Sequence, residues 1–164
     1  MKIFKDKLIL NKEISSVKNL SFVPTMGGLH NGHKYLIKKA KKINNKVLVS
    51  IFVNPKQFNS KKDYKTYPRS LKKDLNILNK LKVNYVFLPN EMDIFRFQPI
   101  KKIFADKFIR KLCGKFRKNH FEGVLNVVNR LLEIVKPNHI FLGEKDYQQL
   151  YLIKKHNKKR KIAT

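Results

Sequence analysis

Residues 21–53 read SFVPTMGGLHNGHKYLIKKAKKINNKVLVSIFV, and this stretch decides the fold. Ser21–Pro24 is short and apolar, which predicts a buried strand that runs directly into a turn at Thr25–Gly32. A helix is predicted from His33 to about Ile43, with an inner face of Leu36, Ile37 and Ala40. Lys46–Val53 is rich in β-branched residues and nearly continuous in apolar ones, as is typical of a strand buried on both faces of a parallel sheet.

The rest of the chain continues this alternation of strands and helices. Two more strands are predicted, at Asn84–Leu88 and His139–Leu142. Further helices are predicted from leucines at helical spacing after Pro68, and at Phe104–Leu112, Phe121–Val135 and Asp146–Lys155. The inner face predicted for the helix at 121–135 is Val124, Val127, Val128, Leu131, Leu132 and Val135. Two stretches are predicted to be irregular, Asn59–Pro68 and Asn90–Lys102. Strands alternating with helices predict an α/β fold, a parallel sheet with helices on both faces.

The composition is typical of one compact domain. The chain has 164 residues, of which 42% are hydrophobic and 30% charged, and its six Gly and six Pro exclude fibrous and low-complexity classes. No apolar stretch approaches the roughly 18 residues of a membrane helix. The single cysteine, Cys113, excludes an internal disulfide and is predicted to be a small buried hydrophobe. These features favour a cytoplasmic protein without a membrane span.

The formal net charge of +27 raises the question of a nucleic-acid partner. The basic residues are mostly lysines spread along the chain, among abundant Asn and Ile, and AT-rich codons produce this composition without selection for a partner. Nucleic-acid readers concentrate arginine at base and phosphate contacts. Nucleic acid is therefore not the expected main partner, although the charge attracts any anion, including a nucleotide.

Three unusual segments each follow a predicted strand. PTMGGLHNGH follows the first strand, NPKQF follows the strand at 46–53, and GEKDYQQ follows the strand at 139–142. Because ligands of open parallel sheets bind beyond the carboxyl ends of the strands, we expect the three segments to meet at one site.

The first segment has chemistry suited to phosphate. Gly27 and Gly28 tolerate positive φ and allow a ligand to approach the backbone closely. The helix that begins near His33 presents N–H groups to an anion, and His30 and His33 can both donate hydrogen bonds to phosphate oxygens. A zinc site is the alternative for two histidines at this spacing, but no second ligand pair with suitable spacing is present.

The other two segments add a charge and neutral polar groups. Lys145 can place a point charge on a phosphoryl group, and Asp146 can hold Mg²⁺ indirectly or accept from a ribose hydroxyl. Gln57 and Gln149 offer donors and acceptors to a small polar substrate. Taken singly, each of these residues also has an ordinary structural explanation as a surface residue or a solvated helix start.

The sequence resembles the pantothenate synthetases, the pantoate–β-alanine ligases. It carries VPTMGGLHNGH, VSIFVNPKQF, YPRSLKKDL, HFEGV and FLGEKDYQQL in that family's order and with similar spacing, from about Val23 to Ile153. LHNGH alone resembles the wider superfamily of HxGH nucleotidylyl transferases. The resemblance implies a Rossmann-like ATP- and pantoate-binding domain over residues 1–164.

The resemblance also implies a two-step reaction that uses Mg²⁺ with ATP. The pantoate carboxylate attacks the α-phosphate of ATP, and pantoyl adenylate and pyrophosphate form. β-Alanine then attacks the mixed anhydride, and pantothenate and AMP are released. The implied partners are ATP, pantoate, β-alanine and a second copy of the chain in a homodimer.

Site residues follow from the resemblance by motif position. The catalytic residues are His33 as proton donor, His30 as a second phosphate contact, and Lys145. The ATP site is implied at Met26, Gly27, Gly28, Leu29, His30, Asn31, Gly32 and His33, and at Gly143, Glu144, Lys145 and Asp146. Pantoate is assigned to Gln57 and Gln149, with Gln57 also near β-alanine and with Asn54 and Phe52 as pocket walls. Phosphate contacts are implied for Arg117 and His120, with Tyr67 close by. No residue is assigned as a metal ligand.

The resemblance has two departures. Asn119 stands where the family typically has Gly, and Thr164 comes before the family's Ser-Ser-Arg segment and C-terminal lid domain, so both are expected to be absent. A fragment, a split gene and an inactive remnant all remain open as explanations. The alternative functions are another HxGH adenylyl transferase, or a non-catalytic remnant or basic nucleic-acid-binding protein. The pair Gln57 and Gln149 and the GEKDYQQL match favour the ligase.

Overall fold

The sheet has five parallel strands in the computed structural model, which describes residues 1–162. The strands are β1 (Lys2–Phe4), β2 (Leu20–Thr25), β3 (Lys46–Ile51), β4 (Tyr85–Phe87) and β5 (His139–Ile140). Their order across the sheet is β1-β4-β3-β2-β5. The chain proceeds from β2 to β3 and β4 on one side and returns to β5 on the other, so a topological switch point lies between β2 and β5.

Eight α-helices accompany the strands in the described residues. They are α1 (Lys7–Ile14), α2 (Asn31–Ile43), α3 (Lys61–Thr66), α4 (Leu71–Lys80), α5 (Glu91–Phe95), α6 (Cys113–Phe116), α7 (His120–Val135) and α8 (Tyr147–Arg160). Single 3₁₀ turns occupy Pro55–Gln57, Lys107–Arg110 and Glu144–Asp146. No helix within residues 1–162 is long and apolar enough to cross a membrane.

Alternate residues of the central strands pack into two separate cores, one on each face of the sheet. Val47 and Val49 of β3 pack in one cluster with Ile37 of α2 and Leu78 of α4. Leu48 packs in the other, with residues of α1, α7 and α8. Both faces of β3 are therefore covered, which explains its nearly continuous apolar sequence. The predicted parallel sheet with helices on both faces is confirmed.

The predicted inner face of the long helix is also confirmed in α7. All six residues are buried: Val124, Val127, Val128, Leu131, Leu132 and Val135. Burying a side chain of this kind contributes about 1.5–3 kcal/mol relative to leaving it exposed. This helix therefore anchors the face of the sheet on which Phe22 and Leu48 also lie.

The register of β2 and β3 brings their carboxyl ends to the same level. β2 and β3 pair over their whole length, from Leu20 opposite Lys46 to Thr25 opposite Ile51. β5 pairs with the start of β2, where Ser21 lies opposite His139. The segments that follow β2 and β3 thus begin side by side.

Several local predictions are wrong. The segments predicted to be irregular contain α3 and α5, and Phe104–Leu112 forms only the 3₁₀ turn at Lys107–Arg110 rather than a helix. In that segment the Phe104 N–H donates to His156 Nδ1 (3.0 Å) and the Phe108 N–H donates to Asp106 Oδ1 (2.8 Å). These side-chain acceptors take the backbone donors that a helix would use.

Sequence patterns also missed the first two elements and misplaced the cysteine. In α1 three apolar residues stand in a row, Leu8, Ile9 and Leu10, and this run gives no helical spacing. Only Leu10 of the three is buried. Cys113 is exposed rather than buried. The inward position beside it belongs to Gly114, where an added Cβ would collide with the Ile109 carbonyl.

Candidate active site

The turn between β2 and α2 depends on two glycines. Gly27 and Gly28 have φ of +80° and +62°, a region that other residues rarely adopt. A Cβ on Gly27 would lie 3.0 Å from Asp74 Oδ2 and 3.2 Å from Ile51 Cγ2. The Thr25 hydroxyl donates to the Ser50 carbonyl (2.7 Å) and accepts from the Gly27 N–H (3.2 Å). The turn is therefore fixed to the end of β3 as well as to β2.

A carboxylate from α4 holds the same turn. Asp74 accepts hydrogen bonds from the Gly28 N–H at Oδ2 (2.9 Å) and from the Leu29 N–H at Oδ1 (2.8 Å), and it is only 3% exposed. The sequence analysis did not single out this residue. A signal was present, because Asp74 precedes the buried Leu78 by one helical turn and so falls on the apolar face of α4.

The two histidines of this turn are oriented by backbone N–H groups. His30 caps α2, and its Nδ1 accepts from the Gly32 N–H (3.1 Å). The Nδ1 of His33 accepts from the His30 N–H (3.4 Å), and the two rings lie 4.1 Å apart between centroids. A neutral imidazole that accepts at Nδ1 carries its proton on Nε2. Each ring can therefore offer an Nε2–H donor to a ligand.

Burial lowers the pKa of His33, and the charge of His30 lowers it further. The carboxylates of Asp74 and Asp146 act in the opposite direction. Asp146 belongs to the segment that follows β5, and it also acts to raise the pKa of His120. The charges of the first and third motifs therefore act on one another, as expected from parallel strands.

The second motif contacts the first through Gln57. Asn54 is 1% exposed, and its Nδ2 donates to Gln57 Oε1 (3.1 Å) and to the Gly123 carbonyl (3.1 Å). Gln57 Nε2 in turn approaches Met26 Sδ at 2.9 Å. The side chain predicted to bind pantoate is thus positioned between α7 and the β2–α2 turn.

The start of α7 supports the turn that carries Gln57. The Nδ1–H of His120 donates to the Gln57 carbonyl (2.7 Å), and burial lowers the pKa of this histidine. Gly123 lies against the Lys56 carbonyl, where an added Cβ would collide with the oxygen. The structure therefore shows His120 as a support of Gln57, while its contact with phosphate stays a prediction.

The third motif is the least constrained part of the site. Gly143–Asp146 is exposed, and its 3₁₀ turn has no side-chain cap. Gln149 is half-buried, whereas its neighbour Gln148 is buried and donates to the Phe108 and Lys111 carbonyls. Arg117 is exposed, and its charge contributes to the lowered pKa of His120.

The predicted site residues therefore fall into three classes of exposure. Those that are buried are Gly27, Leu29, Phe52, Asn54, Gln57 and His120. Those that are half-buried are Met26, Gly28, His33, Tyr67 and Gln149. Those that are exposed are His30, Asn31, Gly32, Arg117, Gly143, Glu144, Lys145 and Asp146. The four residues with a formal charge, Arg117, Glu144, Lys145 and Asp146, are all exposed to solvent.

A cavity of about 340 Å³ lies beside the β2–α2 turn, over the carboxyl ends of β2, β3 and β4. Its lining includes Met26, Gly27, Phe52, Arg69 and Asp74. Sequence analysis did not predict this cavity, because its lining comes from segments far apart in the chain.

Comparisons with known proteins identify the family of the chain. The profile of the family described as pantoate-beta-alanine ligase matches residues 2–164. The chain belongs to the pantoate–β-alanine ligase family. It is 50% identical over 151 residues to the pantothenate synthetase of Francisella tularensis subsp. novicida strain U112, a match that covers 87% of this chain and 58% of that protein. It is 49% identical over 147 residues to the pantothenate synthetase of Francisella philomiragia, covering 89% and 56%.

Solved structures of this family have the same fold. The Francisella tularensis pantoate–β-alanine ligase, complexed with β-γ ATP and β-alanine, superposes with a TM-score of 0.94 at 47% identity, covering 100% of this chain and 64% of that one. The pantothenate synthetase of Thermus thermophilus gives 0.90 at 32% identity, covering 99% and 59%. The chain thus spans about three fifths of the length of the ligases that it matches. The family predicted from the motifs is confirmed.

Proposed function

We propose that this chain provides the ATP- and pantoate-binding part of a ligase that joins pantoate to β-alanine through a pantoyl adenylate. One observation carries the proposal most directly: the paired Nε2–H donors of His30 and His33 occupy the same turn that Gln57 contacts through Met26. Phosphate donors and a neutral polar group for a small substrate thus lie together beside the switch point of the sheet. The structurally similar ligase of Francisella tularensis is complexed with β-γ ATP and β-alanine.

In the first step a carboxylate must approach the α-phosphate of ATP, although both are negative. His30 and His33 offset this repulsion by donating from Nε2 to phosphate oxygens, and Lys145 adds a point charge. An arriving triphosphate also favours the protonated form of His33, because it adds negative charge beside the ring. This supports His33 as the proton donor.

Pantoate is a small polar anion, and the two glutamines are suited to its hydroxyl and carboxylate groups. Asn54 and Met26 hold the side chain of Gln57 and His120 holds its backbone carbonyl, so the side chain requires little ordering when the substrate binds. Gln149 lies at the start of α8, close in sequence to the exposed segment that carries Lys145. In the second step AMP is the leaving group, and the amine of β-alanine attacks the anhydride carbon.

Mg²⁺ fits this site as an ion that arrives with ATP. Among residues 1–162, no group of three or more His, Cys, Asp and Glu side chains could hold a metal ion. Phosphate oxygens with one nearby carboxylate are the usual environment of nucleotide-bound Mg²⁺. Asp146 is the residue that would face the ion, whose positive charge offsets the charge of the phosphates.

Three further properties belong to the proposal. We infer a homodimer, a cytoplasmic location, and membership of the wider HxGH nucleotidylyl transferases, for which the His30–His33 spacing is the support. Residues 1–164 form the nucleotide-binding domain, and the complete reaction uses a Ser-Ser-Arg segment and a lid beyond the matched part. A lid excludes water that would hydrolyse the acyl adenylate.

The test is pantoate-dependent release of pyrophosphate from Mg·ATP by the purified 164-residue chain, with His33→Ala in parallel. Calorimetry measures the binding of ATP and pantoate to the same samples. Release that requires both pantoate and His33 supports the proposal. Binding of both ligands without release assigns this chain the binding role alone. Release driven by a phosphate acceptor in place of pantoate, or a folded chain that binds neither ligand, contradicts the proposal.

A further inference from the structure

We propose that Asp74 is a positioning residue for the phosphate site. Its carboxylate fills the concave side of the β2–α2 turn as a built-in anion, and it thereby sets where His30 and His33 present their Nε2–H donors. This inference rests on the proposed function, since it concerns the same site. Neither the motif assignments nor the relatives' names give Asp74 a role.

The backbone of the turn has the form of an anion-binding nest. In the turn at Gly27 and Gly28, where φ is positive, consecutive N–H groups point toward one anion, as they do in nests that bind phosphate. Here the Gly28 and Leu29 N–H groups donate to Asp74 at 2.9 and 2.8 Å. A nucleotide phosphate therefore finds these two donors already occupied. The donors that remain for it are those of the histidines and of the α2 N-terminus.

Asp74 is itself held rigidly, so it can fix the position of the β2–α2 turn. We call this carboxylate, with its bonds to the Gly28 and Leu29 N–H groups, the clamp. It lies in the first turn of α4, where its N–H donates to the Ser70 carbonyl (2.9 Å), and α4 is anchored to the sheet by the fully buried Leu78. Leu29 is the residue immediately before His30, which caps α2. No residue separates Leu29, whose N–H Asp74 holds, from His30. A displacement of about 1 Å at a reacting group costs on the order of 10²-fold in rate.

The charge of Asp74 also acts on His33. The charged groups that influence the ring are His30, which lowers its pKa, and Asp74 and Asp146, which raise it. Removal of the Asp74 carboxylate should therefore lower the pKa of His33 further. This gives the clamp a spectroscopic readout at a second residue, which a purely structural loss elsewhere would not move.

The experiment compares Asp74→Asn with the matched variant Asp6→Asn. Asp6 likewise accepts two backbone N–H groups, from Leu8 (2.7 Å) and Ile9 (2.9 Å), but it caps α1 beyond β1 at the sheet edge. In Asp74→Asn one carboxylate oxygen becomes an NH₂ group that faces a backbone donor. We expect kcat for pantoate-dependent pyrophosphate release to fall about 10- to 100-fold, with a smaller change in KM. Asp6→Asn should stay within about twofold, because Asn caps helices as well as Asp does.

NMR provides the readout that does not depend on activity. In Asp74→Asn we expect faster amide hydrogen exchange at Gly28 and Leu29 and a lower pKa for His33, and neither change in Asp6→Asn. Unchanged exchange and titration in Asp74→Asn would overturn the clamp. Changed spectra with an unaltered kcat would overturn its positioning role.

A second variant separates charge from geometry. Asp74→Glu keeps the charge but lengthens the side chain, so it should retain the pKa of His33 while kcat still falls. If Asp74→Asn does not fold, Asp74→Glu is measured in its place. A wild-type kcat in Asp74→Glu would contradict the claim that the position of the carboxylate matters. If the unmodified chain binds ATP and pantoate but releases no pyrophosphate, Asp74 is judged by NMR and by the expected loss of Mg·ATP affinity in Asp74→Asn. Equal affinity would then overturn the proposal. If a folded chain binds neither ligand, the proposed function fails, and Asp74 is judged by NMR alone.

Discussion

The two turns that we propose face phosphate, after β2 and after β5, are built in opposite ways. The β2–α2 turn has two glycines with positive φ, a buried carboxylate on its amides and a histidine cap on the following helix. The turn at Gly143–Asp146 is exposed, has ordinary φ at its glycine and lacks a side-chain cap. One turn is pre-organised by the chain itself, whereas the other supplies charged groups without fixing them.

This difference shows which groups of the site are already ordered when a ligand arrives. Groups held before the ligand arrives lose little freedom on binding, whereas a long exposed side chain such as Lys145 loses its rotamers at that moment. We therefore expect substitutions in the first turn to affect both folding and chemistry. Substitutions in the second should affect chemistry without destabilising the fold.

The largest expected effect is that of His33→Ala on adenylate formation. The variant lacks an Nε2–H donor at the phosphate, and general acid–base groups typically contribute about 10²- to 10⁴-fold in rate. Single-turnover release of pyrophosphate measures the loss. The control is His139→Ala, an exposed histidine that begins β5 at the amino edge of the sheet. Wild-type rates in His33→Ala, or an equal loss in both variants, would contradict the assigned role.

Lys145→Ala should give the next largest effect. Removing one hydrogen-bond donor from a developing oxyanion typically costs about 10²- to 10³-fold, and we expect a loss of the same order here. The side chain is exposed, so the thermal unfolding midpoint should not change. Lys154→Ala, an exposed lysine on α8, is the matched control and should change neither quantity. A lowered midpoint for Lys145→Ala would show that the second turn is more ordered than its contacts indicate.

A pair of glycine substitutions compares the backbones of the two turns directly. Gly27→Ala forces a Cβ into a left-handed conformation and to 3.0 Å from Asp74 Oδ2, which should lower the free energy of unfolding by at least about 1–2 kcal/mol. Gly143→Ala has φ of −76° and no atom within 4 Å of the new Cβ. It should be neutral or should stabilise the fold by about 0.4–1 kcal/mol. Urea titrations of the two variants measure both values, and equal effects would refute the contrast.

Local patterns predicted most of the frame of this site. The apolar runs of β2 and β3, the helical spacing in α2 and α7, and the position of each motif after a strand were all readable from short windows of sequence. The alternation of strands and helices then gave the edge on which the motifs meet. Patterns failed where apolar residues stayed exposed, as in α1, or where side chains took the backbone donors of a helix, as at Phe104.

The support of the site could not be predicted, because it depends on pairs that are distant in sequence. Asp74 lies 45 residues from Leu29, and His120 lies 63 residues from Gln57. No periodicity links such residues, since their contacts exist only once α4 and α7 have packed on the sheet. The motif resemblance supplied roles for the residues that face the ligand, but it gave no role to the carboxylate behind them.

The smallest expected effect is a pH dependence of stability that arises from histidines with lowered pKa values. Burial is the first cause of the lowered pKa of His33, His120 and His156 in the folded chain. A histidine whose folded pKa lies below its unfolded value of 6.5 binds protons more readily when unfolded. Stability is therefore fully present above about pH 6.5 and is lost as the pH falls toward the lowered folded pKa values.

Urea midpoints at pH 7.5, 6.5 and 5.5 test this prediction, with His120→Gln and His156→Gln as variants. Glutamine keeps a hydrogen-bond donor but does not titrate, so each variant should lose part of the slope below pH 6.5 even where its midpoint at pH 7.5 is reduced. His120→Gln leaves the turn that carries Gln57 with a side-chain amide donor for the Gln57 carbonyl, and His156→Gln acts far from the ligand, among α7 and α8. A slope that neither variant reduces would mean that carboxylates dominate the acid response, and the burial of these histidines would then not control it.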